Sequence, residues 1–206
     1  MARSSKNKEE LLLQSFDILK NNLENNSGKI QDIIVKIAKS NISLAIDMWR
    51  YVLTNGEAII KRDGFHFTSG MLYSLERKIG SEEVIIILNE NEDILEYVFG
   101  KSDSIYPSYI WDALRYGYIE LAEKMYNLVK KNRYKEESLA QIVEEICDSF
   151  ASEFDYIQDV DDDDDDSYEE EENQANEVAS VLLKWVGNLK DKEAKARITV
   201  ALIDYV

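Results

Sequence analysis

"NISLAIDMWRYVLTN" (Asn41–Asn55) and "YIELAEKMYNLVKKN" (Tyr118–Asn132) lie 77 positions apart and read as two copies of one helix. In both, apolar residues recur at the spacing that gives a helix one buried face. The match extends beyond shared apolarity. Ile42 meets Ile119, Leu44 meets Leu121, Ala45 meets Ala122, Met48 meets Met125, Val52 meets Val129 and Asn55 meets Asn132. Trp49 meets another aromatic, Tyr126. Upstream, Ile33 falls on Ile110 and Ile37 on Leu114, while Ser40 and Gly117 hold the same turn. A small residue, a thioether and an aromatic matched together are harder to obtain by chance than a stripe of leucines. Gly80 lies roughly midway, which sets a period of about 37–40 residues, the length of a helix pair.

The rest of the chain reads the same way. One proline and eight glycines in 206 residues are too few for a turn-rich β fold. The spacing predicts a first helix from Asn7 to a breaker cluster at Asn25-Asn26-Ser27-Gly28, then helices over about 29–39 and 41–55. "GFHFTSG" (Gly64–Gly70) reads as a connector before a helix that ends at Gly80. Ser81 is placed to cap "EEVIIIL", read as a helix because a lone strand would have no partner. "NEN" (Asn89–Asn91) interrupts it, and Pro107 suits a first helical position. Helices are expected over about 107–116, 118–132, 136–155, 174–188 and 192–205. The expected fold is all-α: an irregular array of antiparallel helix pairs, an α-α superhelix, with an acidic loop insertion. In that reading residues 1–157 form the array, 158–173 a disordered or looped acidic insertion, and 174–206 a helix pair capping the same domain.

"ALRYGYIELAEKMYNLV" (Ala113–Val129) resembles the helix–turn–helix of ankyrin-type and similar α-solenoid repeats, with HEAT-type unit length. Residues 31–55 resemble it more weakly. The ankyrin Thr-Pro-Leu-His start is absent. The resemblance implies a stacked helical array, a class that binds other proteins on a broad concave face.

Charge is distributed unevenly. Residues 1–135 hold 19 acidic and 19 basic side chains, residues 136–183 hold 19 acidic and no basic ones, and residues 184–206 hold three acidic and five basic. The whole excess of −17 therefore sits in one 48-residue segment. Its crest is "DVDDDDDDSYEEEE" (Asp159–Glu172). Direct binding to nucleic acid or to an anionic membrane is disfavoured, since both would be repelled. The tract contains no glycine and does not meet the EF-hand spacing, so a dedicated calcium loop is not expected. It reads either as a solvated loop or as a docking surface that steers a basic protein. The residues assigned to such a surface are Glu145, Asp148, Asp159, Asp161, Asp162, Asp163, Asp164, Asp165, Asp166, Glu169 and Glu170. A second candidate surface is aromatic: Tyr106, Tyr109, Trp111 and Tyr116, with Asp112 on the face that Tyr109 and Tyr116 share.

Little supports catalysis. His66 is the single histidine and Cys147 the single cysteine, so the usual zinc sets cannot assemble within one chain. Cys147 lies among carboxylates that would raise its pKa, and reads as a core residue beside Val143 and Phe150. No phosphate-binding glycine loop and no nucleophile elbow occurs. No cofactor, metal ligand or catalytic residue is assigned. One cysteine and the lack of an apolar leader point to a cytoplasmic setting. The expected function is a non-catalytic protein-binding module, of immunity or inhibitor type, engaging a basic partner through its acidic segment. The alternatives are a helical-repeat adaptor using the aromatic face, and an enzyme with an unrecognised carboxylate site.

Overall fold

A computed structural model describes residues 2–101, 106–131, 136–154 and 166–203; side chains are described for fewer, leaving out 2–6, 57–66, 69, 101, 136–137, 166–171 and 201. Every element among the described residues is helical, so the fold is all-α. The chain divides into two compact units, residues 1–104 and 105–206.

The first unit contains α1 (Ala2–Leu19), α2 (Leu23–Ala38), α3 (Ile42–Asn55), α4 (Glu57–Ile79), α5 (Ser81–Glu90) and α6 (Glu92–Leu95). A 3-10 turn, Lys20–Asn22, joins α1 to α2, and a π-helical stretch, Glu96–Lys101, continues α6. Helix α2 is the hub, packing on α1, α3 and α4. Its Ile30, Ile33, Ile34 and Ile37 are buried, a stripe at helical spacing that drives the packing. The helix runs straight through Asn25-Asn26-Ser27-Gly28, where the sequence suggested a break. The chain turns earlier, at Asn22, whose side-chain oxygen accepts from the Asn25 N–H. Helix propensity is a weak preference, and the buried isoleucine stripe outweighs it.

A second expectation also gives way. "GFHFTSG" is no connector; it lies inside the 23-residue α4. Phe67, Thr68, Met71, Leu72 and Leu75 are buried there, one continuous helical stripe. Gly70 serves close approach instead of a turn: a Cβ on it would sit 3.0 Å from the Gln31 amide nitrogen on α2. The true stop is Gly80, at φ 100°, a conformation that suits glycine. Gly80 also holds the N-cap position of α5, with Ser81 the first helical residue.

The second unit contains α7 (Pro107–Arg115), α8 (Ile119–Lys131), α9 (Glu136–Phe154), α10 (Asp166–Gly187) and α11 (Lys192–Leu202). Pro107 is at the start of α7, where its missing N–H costs nothing. Helix α7 packs on α8 and α9, while α9, α10 and α11 pack on one another. Asp191 caps α11, accepting from the N–H groups of Glu193 and Ala194 at 2.9 and 3.0 Å. Helix α10 begins at Asp166, so residues 166–173, expected from the sequence to lie in a loop, are helical.

The two units repeat one arrangement internally. In each, a helix pair with a three-residue turn (39–41 and 116–118) is followed by a third helix that packs on the first: α2, α3, α4 and α7, α8, α9. Ala45 and Ala122, Met48 and Met125, Trp49 and Tyr126, and Val52 and Val129 are all buried. With an offset of 75 the third helices also agree: Phe67 with Ile142, Met71 with Ile146, Leu72 with Cys147, and Leu75 with Phe150, all buried. The turns themselves are closed differently. Asn41 caps α3 with its side chain, accepting from the Leu44 N–H. Gly117, at φ 77°, instead ends α7 with a Schellman pair: Tyr118 N–H donates to Ala113 C=O at 2.8 Å and Gly117 N–H to Leu114 C=O at 3.0 Å.

Candidate functional site

Helix α9 sets the geometry of the acidic face. Ile142, Val143, Ile146, Cys147, Phe150 and Phe154 bury one side of it. A helix that buries this stripe must turn the opposite one outward, and Gln141, Glu145, Asp148 and Ser152 are exposed there at spacings of four, three and four. On α10, Glu172 and Glu177 are exposed, and Glu177 lies opposite a buried stripe of Ala175, Val178, Ala179 and Leu182.

The unit's own cations cover only part of this acidity. Arg197 of α11 grips Glu144 with both ends of its guanidinium fork, Nε at 3.2 Å and Nη2 at 3.0 Å from Oε1. Arg115, at the end of α7, holds Glu153 at 3.1 Å. Lys184 of α10 reaches Glu123 of α8 at 2.6 Å. Glu144 and Glu153 flank the exposed stripe on α9. Glu145 and Asp148, which form it, have no Lys or Arg within ion-pair distance among the described residues. Glu145 instead has an uncharged contact, accepting from Gln141 Nε2 at 3.2 Å. A negative stripe thus lies inside a frame of satisfied pairs.

Asp159 and Asp161 to Asp165 lie outside the described residues. Asp166, Glu169 and Glu170 fall on the first turns of α10, where the backbone alone is described. Carboxylates at a helix N-terminus meet the positive end of the macrodipole, which favours helix in a segment read as loop.

The aromatic candidates have a different fate. Tyr106, Tyr109 and Trp111 are buried, with exposures of 8%, 5% and 8%. Trp111 meets Phe150 and Phe154 of α9 edge-on at 6.2 and 6.3 Å. Tyr106 and Tyr109 meet edge-on at 6.0 Å. Tyr116 and Asp112 are half-buried. Tyr106, Tyr109 and Trp111 fill the unit's interior, while Tyr116 keeps part of its ring exposed, with the Arg115 guanidinium carbon 5.8 Å from its centroid. Tyr109 and Trp111 fall on opposite sides of a helical wheel, yet α7 is enclosed by both α8 and α9 and buries both. Sequence alone does not reveal that enclosure.

Cys147 is buried, and burial with Asp148 and Glu144 nearby pushes its thiol up to about 12. Among the described residues no group of three His, Cys, Asp or Glu side chains gathers as a metal set, and no helix is long and apolar enough to cross a membrane. Two clefts among the described residues are open to solvent. One is lined by Lys8, Leu12, Leu13 and Lys36, another by Lys20, Asn21, Tyr51 and Asn55. Comparison with protein-family models, curated proteins and solved structures finds no match to this chain.

Proposed function

We propose that the protein is a non-catalytic binding module that engages a basic protein partner through its acidic segment. The observation that carries this reading is the framed stripe on α9: among the described residues Glu145 and Asp148 stand exposed with no Lys or Arg in ion-pair reach, while the flanking Glu144 and Glu153 are paired with arginines. A carboxylate already held by an arginine gains little from a partner. An unpaired one keeps its full field, and a one-signed surface of this kind steers an oppositely charged protein and speeds encounter. The segment's 19 acidic and zero basic side chains enlarge that field well beyond the two residues. Such a surface suits an immunity-type or inhibitory protein, which masks the cationic site of a toxin or nuclease. The adaptor reading has less support, since Tyr106, Tyr109 and Trp111 are buried.

The test uses a fluorescein-labelled decalysine peptide as probe, with fluorescence anisotropy read at several salt concentrations. The double variant Glu145→Gln/Asp148→Asn should bind more weakly and show a shallower salt dependence than the wild type. The double variant Glu82→Gln/Glu90→Gln, at exposed positions in the first unit, serves as a control for two charges lost elsewhere and should change little. Equal affinity and equal salt slope in the double variant and the wild type would overturn the proposal.

A further inference from the structure

Arg77 on α4 differs from the other arginines whose side chains are described. Arg50, Arg115 and Arg197 hold Asp93, Glu153 and Glu144. Arg77 holds no carboxylate among the described residues; its guanidinium carbon lies 5.7 Å from the ring centroid of Tyr73, one turn earlier on the same helix. A chain with 41 acidic and 24 basic residues has carboxylates to spare, so an arginine left to an aromatic ring stands out. Tyr73 is itself unusual. It is 58% exposed, the one aromatic among the large apolar side chains most open to solvent in the described residues.

These two side chains stand on a fixed base. Gly70 lies three residues before Tyr73 on the same outward side, and its missing Cβ leaves room for the Gln31 amide from α2. That amide donates through Nε2 to Ser74 Oγ at 3.0 Å, across the α2–α4 contact. The bond uses one of its two N–H groups, leaving the second as a donor. One stretch of surface therefore carries a guanidinium, an open aromatic ring and an amide donor, on two helices that pack firmly together.

We propose that Gln31, Gly70, Tyr73, Ser74 and Arg77 form a second binding surface, for a peptide presenting an acidic side chain next to an aromatic one. The carboxylate pairs with the Arg77 guanidinium, whose flat fork matches its two oxygens. The aromatic group packs on Tyr73, and tyrosine and arginine are among the side chains that most often dominate such contacts. The first unit carries 13 basic and 16 acidic residues, near balance, against 11 and 25 in the second. Taken by itself, the first unit carries an excess of only three acidic side chains. This surface selects a partner opposite in sign to the one proposed for α9, and it stands or falls independently of that reading.

The experiment uses the full chain and three fluorescein-labelled, capped peptides: Glu-Glu-Phe-Glu-Glu, Gln-Gln-Phe-Gln-Gln and Glu-Glu-Ala-Glu-Glu. Anisotropy titrations near physiological salt, where the screening length is about 8 Å, should show the first binding about fivefold or more tighter than either of the others. Arg77→Gln and Tyr73→Ala should each weaken it by about fivefold or more while the far-ultraviolet circular dichroism is unchanged. Arg77→Lys, which keeps the charge and loses the fork, should fall between wild type and Arg77→Gln. A glutamate peptide that binds no tighter than its glutamine counterpart, or that binds Arg77→Gln as well as wild type, would overturn the proposal.

Discussion

Trp49 and Tyr126 occupy the same place in the two repeated helix pairs and share the same defect. Both are almost fully buried, at 1% and 2% exposure, and neither the Trp49 Nε1 nor the Tyr126 hydroxyl has a hydrogen-bond partner among the described residues. Their bulk is what the packing uses. Tyr126 lies flat on Trp185 of α10, with ring centroids 4.3 Å apart and planes 6° from parallel. Removing the hydroxyl while keeping the ring relieves a desolvated group, so Tyr126→Phe should raise stability by about 0.5–1 kcal/mol in urea denaturation. Tyr126→Ala should lower it by about 3–5 kcal/mol, through lost burial and the cavity left behind. A pH-dependent effect is expected at Arg50. Its guanidinium takes both oxygens of Asp93, Nε at 2.6 Å and Nη2 at 3.1 Å, and also donates to Asn91 Oδ1 at 2.6 Å. This pairing holds the Asp93 carboxyl below its ordinary value. The group binds its proton less readily folded than unfolded, so its contribution is present at neutral pH and fades as pH falls through the carboxylate range. Both partners are more than a third exposed, which limits the effect to about 0.5–1 kcal/mol. The stability gap between wild type and Arg50→Gln should therefore narrow on going from about pH 7 to about pH 3.

Turns decide the element scale, and three glycines there should respond differently to one change. Gly117 closes α7 at φ 77°, so Gly117→Ala forces an L side chain into left-handed backbone and should cost about 1–2 kcal/mol. Gly28 sits within α2, and a Cβ added there would meet nothing within 4 Å, so Gly28→Ala should gain about 0.5–1 kcal/mol. Thermal melts of the two variants should shift in opposite directions. At Gly70, Gly→Ala must displace the bonded Gln31 amide, which makes it a sensitive probe of the α2–α4 contact. The same glycines mark where sequence was readable. The stripes of α2, α3, α8 and α9 were plain in the spacing of their apolar residues, and Pro107 and Asn41 announced their helix starts. Gly28 and Gly70 misled, because a glycine that permits close approach or merely sits in a helix carries the same letter as one that stops it. At Asp166 the signal was lost in the charge run. Like-charge blocks read as loop, whereas the first turn of a helix tolerates acid through its dipole. Of the candidate site, Glu145 and Asp148 were legible as outward-facing because their helix has a clear apolar side. The frame made by Arg115 and Arg197 was not, since those partners come from α7 and α11, far off in sequence.

At the scale of the whole molecule, charge separates what packing makes alike. Residues 1–104 are close to balance, while residues 105–206 carry 25 acidic and 11 basic side chains. Repulsion within the second unit opposes its compact state, and salt shortens the range of that repulsion from about 20 Å near 20 mM to about 6 Å near 300 mM. Hydrogen exchange should therefore slow with added salt in peptides from α8, α9 and α10, and change much less in peptides from α2, α3 and α4. Equal slowing in both sets would show that the excess charge does not limit the second unit's stability. The shared burial pattern carries a consequence of another kind. Positions 45, 48, 49 and 52 and positions 122, 125, 126 and 129 face the same packing demands within one polypeptide, made in the same cell at the same dose. A saturation mutagenesis screen of this single gene would contain its own replicate: tolerance profiles at sites 77 apart should correlate, and wherever a pair diverges, the difference would isolate a demand that packing does not impose.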